Sequence, residues 1–97
     1  MRLKLQDAEF IKQAAKFYFG KDAKVYLFGS RVFDDRKGGD IDLYIETNRK
    51  VGLFDKKVKL LLALYEKLGE QKIDIVINNF TSSLYIYEVA QKEGRLL

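Results

Sequence analysis

The stretch that decides the fold is Lys24-Val25-Tyr26-Leu27-Phe28-Gly29-Ser30, followed after nine intervening residues by Asp40-Ile41-Asp42-Leu43-Tyr44-Ile45-Glu46. The first segment is a short β-rich run that ends on a glycine and a serine, the usual punctuation of a turn. In the second, Asp40, Asp42, Tyr44 and Glu46 alternate with Ile41, Leu43 and Ile45. Side chains at i and i+2 of a strand leave the same face, so this is a strand half-buried on its isoleucine–leucine side. Between them, Arg31-Val32-Phe33-Asp34-Asp35-Arg36-Lys37-Gly38-Gly39 reads as a polar connection.

Upstream, Asp7 is a candidate N-cap for a helix whose apolar positions Phe10, Ile11, Ala14, Ala15, Phe17 and Tyr18 recur at helical spacing, with Gly20 as its stop. Downstream, Leu53 to Leu68 is helical, with Phe54, Val58, Leu61, Leu62, Tyr65 and Leu68 forming the expected apolar stripe and Gly69 the stop. Lys72 to Ile77 is a third strand, with Ile73, Ile75 and Ile77 on one side and Asp74 and Val76 on the other. Ser82 or Ser83 is positioned to cap a last helix that runs to about Glu93. In that helix Leu84-Tyr85-Ile86-Tyr87 covers every direction of a turn, so one side is expected on the sheet and another in solvent. The fold class is α/β (α+β): a small mixed sheet flanked by helices, in one domain spanning residues 1–97.

Composition narrows the chemistry. The chain is 47% hydrophobic and 33% charged, the balance of a soluble globular protein. No apolar run approaches the ~18 residues that span a bilayer. Charges interrupt the N-terminus where a signal peptide carries its apolar stretch, so a cytoplasmic location is expected. With no Cys and no His, disulfides, thiolate or imidazole metal sites and Ser-His or Cys-His catalysis are all excluded. Any metal has oxygen ligands, which suit Mg²⁺ or Mn²⁺. The net charge of +4 suits an anionic ligand such as a nucleotide, but is too small an excess to argue for direct nucleic-acid binding.

Asp40 and Asp42 leave one face of their strand, and two close carboxylates repel unless a cation lies between them. Asp74, in the middle of an apolar strand, is costly there unless it is solvated, paired or metal-bound. If its strand neighbours that of Asp40, the three carboxylates converge, and such a set holds two divalent ions. Gly29 permits close backbone approach to a ligand. The Ser30 hydroxyl and nearby N–H groups are phosphate donors, and Arg31, Arg36 and Lys37 are available to neutralise charge. Taken singly, each feature also has a plain reading as a solvated strand face, an ordinary turn or a charged loop. Tyr26, Tyr44, Tyr65, Tyr85 and Tyr87 read as packing residues before they read as base-stacking ones.

Phe28-Gly29-Ser30-Arg31 with Gly39-Asp40-Ile41-Asp42-Leu43 closely resembles the signature of the DNA polymerase β-like nucleotidyltransferases. In that superfamily a Gly-Ser turn precedes Asp-hydrophobic-Asp, and a later strand supplies a third carboxylate, as Ile73-Asp74-Ile75-Val76 does here. Its order of elements also agrees. The small size resembles the minimal nucleotidyltransferases, the MNT proteins, which act as antitoxins to a helical HEPN toxin. The resemblance implies a palm-like nucleotidyltransferase fold, ATP as substrate with two Mg²⁺ or Mn²⁺ ions, and transfer of AMP to a tyrosine of a co-encoded HEPN partner. By residue, it implies that Gly29 and Ser30, helped by Arg31 and Lys37, bind the triphosphate. Asp40 and Asp42 would bind metal, and Asp74 would bind metal and activate the acceptor hydroxyl. The chain departs from the pattern at Gly39, where many relatives have Ser, and at Val32-Phe33-Asp34-Asp35, where a small residue and a Gly are common. Two other readings stand beside transfer to a toxin. One is an antitoxin that neutralises its partner by contact alone. The weaker one is transfer to a small molecule such as an aminoglycoside, which the lack of an acceptor domain in these residues argues against.

Overall fold

The computed structural model describes residues 3–32, 39–69 and 71–97, with the Ser30 side chain also outside the described part. The elements run α1 (Leu5–Phe19), β1 (Lys24–Phe28), a single 3₁₀ turn (Gly29–Val32), β2 (Ile41–Glu46), α2 (Leu53–Leu68), β3 (Ile73–Asn78), α3 (Tyr85–Glu93) and β4 (Arg95–Leu96). They form the α+β fold expected, with a four-stranded sheet in the order β3-β2-β1-β4. β1 runs antiparallel to β2 and to β4, while β2 and β3 are parallel. Parallel neighbours need a crossover, and α2 is that crossover.

Each helix ends where the sequence places a glycine. The Gly20 N–H donates to Lys16 O at 2.9 Å and the Gly69 N–H to Tyr65 O at 2.9 Å. The starts differ from expectation. α1 begins at Leu5 with Lys4 in the capping position, so Asp7 lies inside the first turn and makes no side-chain cap. There its negative charge still meets the positive end of the helix dipole. α3 begins at Tyr85 behind an extended Leu84, and neither Ser82 nor Ser83 caps it. Packing sets that start, because it turns Tyr87 and Ala90 onto the sheet.

The sheet is buried on both faces. On one, Val25, Leu27, Ile41, Leu43, Ile45, Ile73 and Ile75 pack against Ile11, Ala15 and Phe19 of α1 and Leu60 and Leu64 of α2. On the other, Phe28 and Tyr44 meet Ala90 of α3, with Tyr26, Val76 and Tyr87 around them. Tyr44 is fully buried. Its hydroxyl donates to Glu46 Oε2 at 2.8 Å and accepts from Asn78 Nδ2 at 3.0 Å and Gln91 Nε2 at 2.9 Å. Burial pushes its pKa up. The packing reading holds for Tyr26, Tyr44 and Tyr87, which stack with ring centroids 5.7 and 6.0 Å apart, whereas Tyr85 is exposed.

The α2 stripe is where the structure corrects the sequence reading. Leu60 and Leu64, left out of that stripe, are the fully buried residues, while Phe54 and Leu62 are 79% and 61% exposed. Apolar residues cover more than half of this helix's circumference, so periodicity alone does not say which arc faces the sheet. The final strand is a further addition. Gly94 lies so close to Ala90 O and Tyr26 Cβ that a side chain would collide, and this approach brings Arg95 and Leu96 alongside β1.

The orientation of α2 makes a direct prediction. Leu60→Ala should cost about 2–5 kcal/mol of stability, as for other fully buried leucines. Leu62→Ala should cost within about 0.5 kcal/mol, as expected for a surface site. Urea unfolding of the two variants checks this, and equal losses would place the wrong arc of α2 on the sheet.

Candidate functional site

The carboxylates gather where three strands meet. In the β2–β3 register Asp42 stands opposite Asp74, and in the β1–β2 register it stands opposite Phe28, the residue before Gly29. All side chains at these positions leave the sheet on the α3 face, but α3 covers Tyr44 and Val76 further along and leaves the aspartate end open. Asp42 is half-buried and Asp74 exposed. The two carboxyl groups lie within hydrogen-bonding reach of each other.

Asp42 is held above the ordinary carboxylate range, first by burial, then by the negative charges of Asp74 and Asp40, with Lys72 opposing. Gly29 fits against the same group. Its φ of +78° is in the left-handed region, and a β-carbon there would collide with Asp42 Oδ2. Two independent reasons, backbone conformation and space, thus require a residue without a side chain at the turn.

Asp40 is placed differently. It precedes β2, and its Oδ2 lies 3.7 Å from Lys72 Nζ. Among the described residues, no three acidic side chains are gathered closely enough to hold a metal ion. Asp42 and Asp74 are brought together; Asp40 is within electrostatic range of Asp42 but turned to Lys72. Arg31 Nη2 donates to Gly39 O at 3.1 Å and to Gln71 Oε1 at 2.9 Å, tying the end of the loop to the segment before β3. Lys37, with Arg36, Asp34 and Asp35, lies outside the described residues.

Lys72 and Gln71 escaped the reading of the sequence. The signal was present: Lys72 stands one residue before the first parallel pair, Ile41–Ile73, as Asp40 does on the other strand. Only the pairing of the two strands makes them neighbours.

The nucleotidyltransferase domain family matches residues 9–97. The chain belongs to that family. No curated protein matches it. The fold is consistent with a nucleotidyltransferase domain, whose general chemistry is the transfer of a nucleotidyl group. Members of this family use a nucleoside triphosphate and divalent metal ions, and the donor set here fits such ions. It is made only of oxygen, and its central pair carries a like-charge repulsion that a cation removes. Asp42 and Asp74, the two carboxylates brought together, would hold the ion. Among the described residues of this nucleotidyltransferase domain, no helix is long and apolar enough to cross a membrane.

Two predictions follow from this geometry. The raised pKa of Asp42 means that the folded state holds a proton more tightly than the unfolded one. Stability without divalent ions is therefore highest at low pH with respect to this group, and falls as pH rises through the window just above the ordinary carboxylate range. Asp42→Asn should remove that step and raise the Tm at neutral pH without divalent ions. Added Mg²⁺ should raise the Tm of the unaltered protein and leave that of the variant nearly unchanged. Thermal melts with and without Mg²⁺ across pH decide it; a variant that melts lower without Mg²⁺ would overturn the assignment.

Gly29→Val should leave a folded but weakened protein, because it forces both φ and the Asp42 side chain to move. Triphosphate binding in the presence of Mg²⁺ should be lost. Calorimetric titration with ATP is the check, and unchanged affinity would show that the turn does not approach the ligand.

Proposed function

We propose that this domain transfers AMP from ATP onto a tyrosine hydroxyl of a partner protein, a helical HEPN toxin, and so acts as its antitoxin. The observation that carries the reading is the contact between Gly29 and Asp42, with Asp74 paired to Asp42 across the parallel strands. It joins a backbone turn free of side chain to a carboxylate pair short of positive charge, which is the arrangement a metal-bound triphosphate completes.

Gly29 and Ser30 would receive the phosphates. Arg31, through its bonds to Gly39 and Gln71, would hold the end of that turn against the segment before β3. Mg²⁺ or Mn²⁺ would supply neutralisation of the triphosphate and acidify the attacking hydroxyl. The acceptor oxygen attacks the α-phosphorus, a new P–O bond forms, the bond to the bridging oxygen breaks, and pyrophosphate leaves. Asp74, the more exposed member of the pair, accepts the hydroxyl proton.

A second reading, neutralisation by contact, is favoured by one observation. Leu84, Tyr85 and Ile86 at the start of α3 stand in solvent, with Tyr85 78% exposed, and apolar surface of this kind is what a protein partner covers.

Asp74→Asn separates the two. It keeps the shape and removes the base, so ATP binding should largely survive while transfer falls ~10²- to 10⁴-fold. The measurement is the mass of the co-expressed partner after incubation with ATP and Mg²⁺, read as added AMP units. If the unaltered protein adds none and both proteins neutralise the partner equally in cells, contact alone is the mechanism.

A further inference from the structure

Beside the carboxylates lies a concave surface most of whose lining the transfer reaction leaves without a role. A cleft of about 1050 Å³ opens between the start of α1, the end of α2 and the entry to β2 and β3. Its lining includes Lys4, Lys67, Lys72 and Arg31 against two carboxylates, Asp7 and Asp40. Among the described residues that is four cations against two carboxylates. A concave surface concentrates such a field, and its effect on an approaching anion exceeds that of the same charges spread on a convex one.

The cleft and the catalytic face share Asp40. Asp42 and Asp74 lie on the α3 face, the cleft on the α1–α2 side, and Asp40 lies between them with its carboxylate on Lys72. A ligand seated in the cleft therefore has its neighbouring groups at the edge of the carboxylate site.

We infer that this cleft seats the acceptor, and that the acceptor is an acidic peptide segment whose carboxylates flank the tyrosine that is modified. The inference rests on the proposed transfer to a protein hydroxyl and names what that hydroxyl must stand beside. Three features favour a peptide over a nucleic-acid strand. Asp7 and Asp40 interrupt the cations and would repel a continuous row of phosphates. Among the described residues no aromatic ring lines the cleft, so bases have nothing to stack on. Leu3 and Leu68, both partly exposed, supply apolar wall between the lysines, which suits peptide side chains. Lysine ammonium groups are compact charges on flexible stems and pair with single carboxylates without a fixed fork geometry. Because these side chains are exposed, the interaction is selective by charge and weakens with salt.

The test uses fluorescence anisotropy with a labelled pentapeptide, a tyrosine flanked by two glutamates on each side. The control peptide has glutamines in their place, and a third probe is a pentauridylate. The glutamate peptide should bind, lose affinity as salt rises, and bind more tightly than both other probes. Lys4→Glu/Lys67→Glu should weaken it about tenfold, and the neutral Lys4→Gln/Lys67→Gln about threefold. The neutral pair guards against a fold disturbed by charge reversal, and neither should change the affinity for ATP and Mg²⁺. Equal binding of the glutamine peptide, or undiminished binding by both variants, overturns the inference. Tighter binding of the pentauridylate makes the cleft a nucleic-acid site, and loss of ATP affinity in the variants makes it part of the donor pocket; either result also overturns it. Peptide binding is read apart from transfer. Glutamate-dependent binding without AMP transfer onto any acceptor supports the cleft and counts against the proposed function. AMP transfer onto the partner without glutamate-dependent binding does the reverse.

Discussion

The parallel pairing of β2 with β3 is the constraint on which the rest of this molecule depends. It sets Asp42 beside Asp74, two carboxylates from segments more than thirty residues apart in sequence. A pair of like charges at the end of a sheet opposes folding, and here burial of Asp42 adds to that cost. The interior of the sheet compensates: Ile41, Leu43, Ile45, Ile73 and Ile75 are all buried on the opposite face. The same two strands that hold the core together thus force the acids together, because successive residues of a strand alternate between its faces. Fold and site are two sides of one register.

The helices divide their work between those faces. α1 and α2 close the aliphatic side, and their ends, with the entries to β2 and β3, form the walls of the basic cleft. α3 closes only part of the other side, over Tyr44, Phe28 and Val76. That partial cover keeps the tyrosine cluster dry and leaves Asp42 and Asp74 accessible. The turn at Gly29 completes the open end, since any side chain there would occupy the space that Asp42 takes.

Charge is arranged in opposition along this edge. Asp40 is paired with Lys72, and Lys72 also lines the cleft. An anion entering the cleft competes with Asp40 for that ammonium group. Lys72 is thus a single charge that faces both the carboxylate edge and the cleft.

Much of this was legible in the sequence. Strand alternation located β1, β2 and β3 to within a residue, and Gly20 and Gly69 marked the ends of their helices, because backbone preference and face alternation are local properties. The same alternation showed that Asp40 and Asp42 share one face of their strand and that Asp74 stands on the face opposite Ile73 and Ile75. It did not show which carboxylates meet. The side-chain partners of Asp40 and Arg31, namely Lys72 and Gln71, lie far away in sequence and become neighbours only through strand pairing. The buried arc of α2 was likewise undecided, since a helix apolar over more than half its surface takes its orientation from the sheet beneath it. β4 was invisible because two residues carry no period, and its place beside β1 follows from the close approach of Gly94 to Ala90 and Tyr26. The sequence by itself determined the three helices, the first three strands and the chemical kinds of the candidate site residues. Tertiary structure decided their partners, because contacts between distant segments are set by the packing of whole faces, not by any local preference.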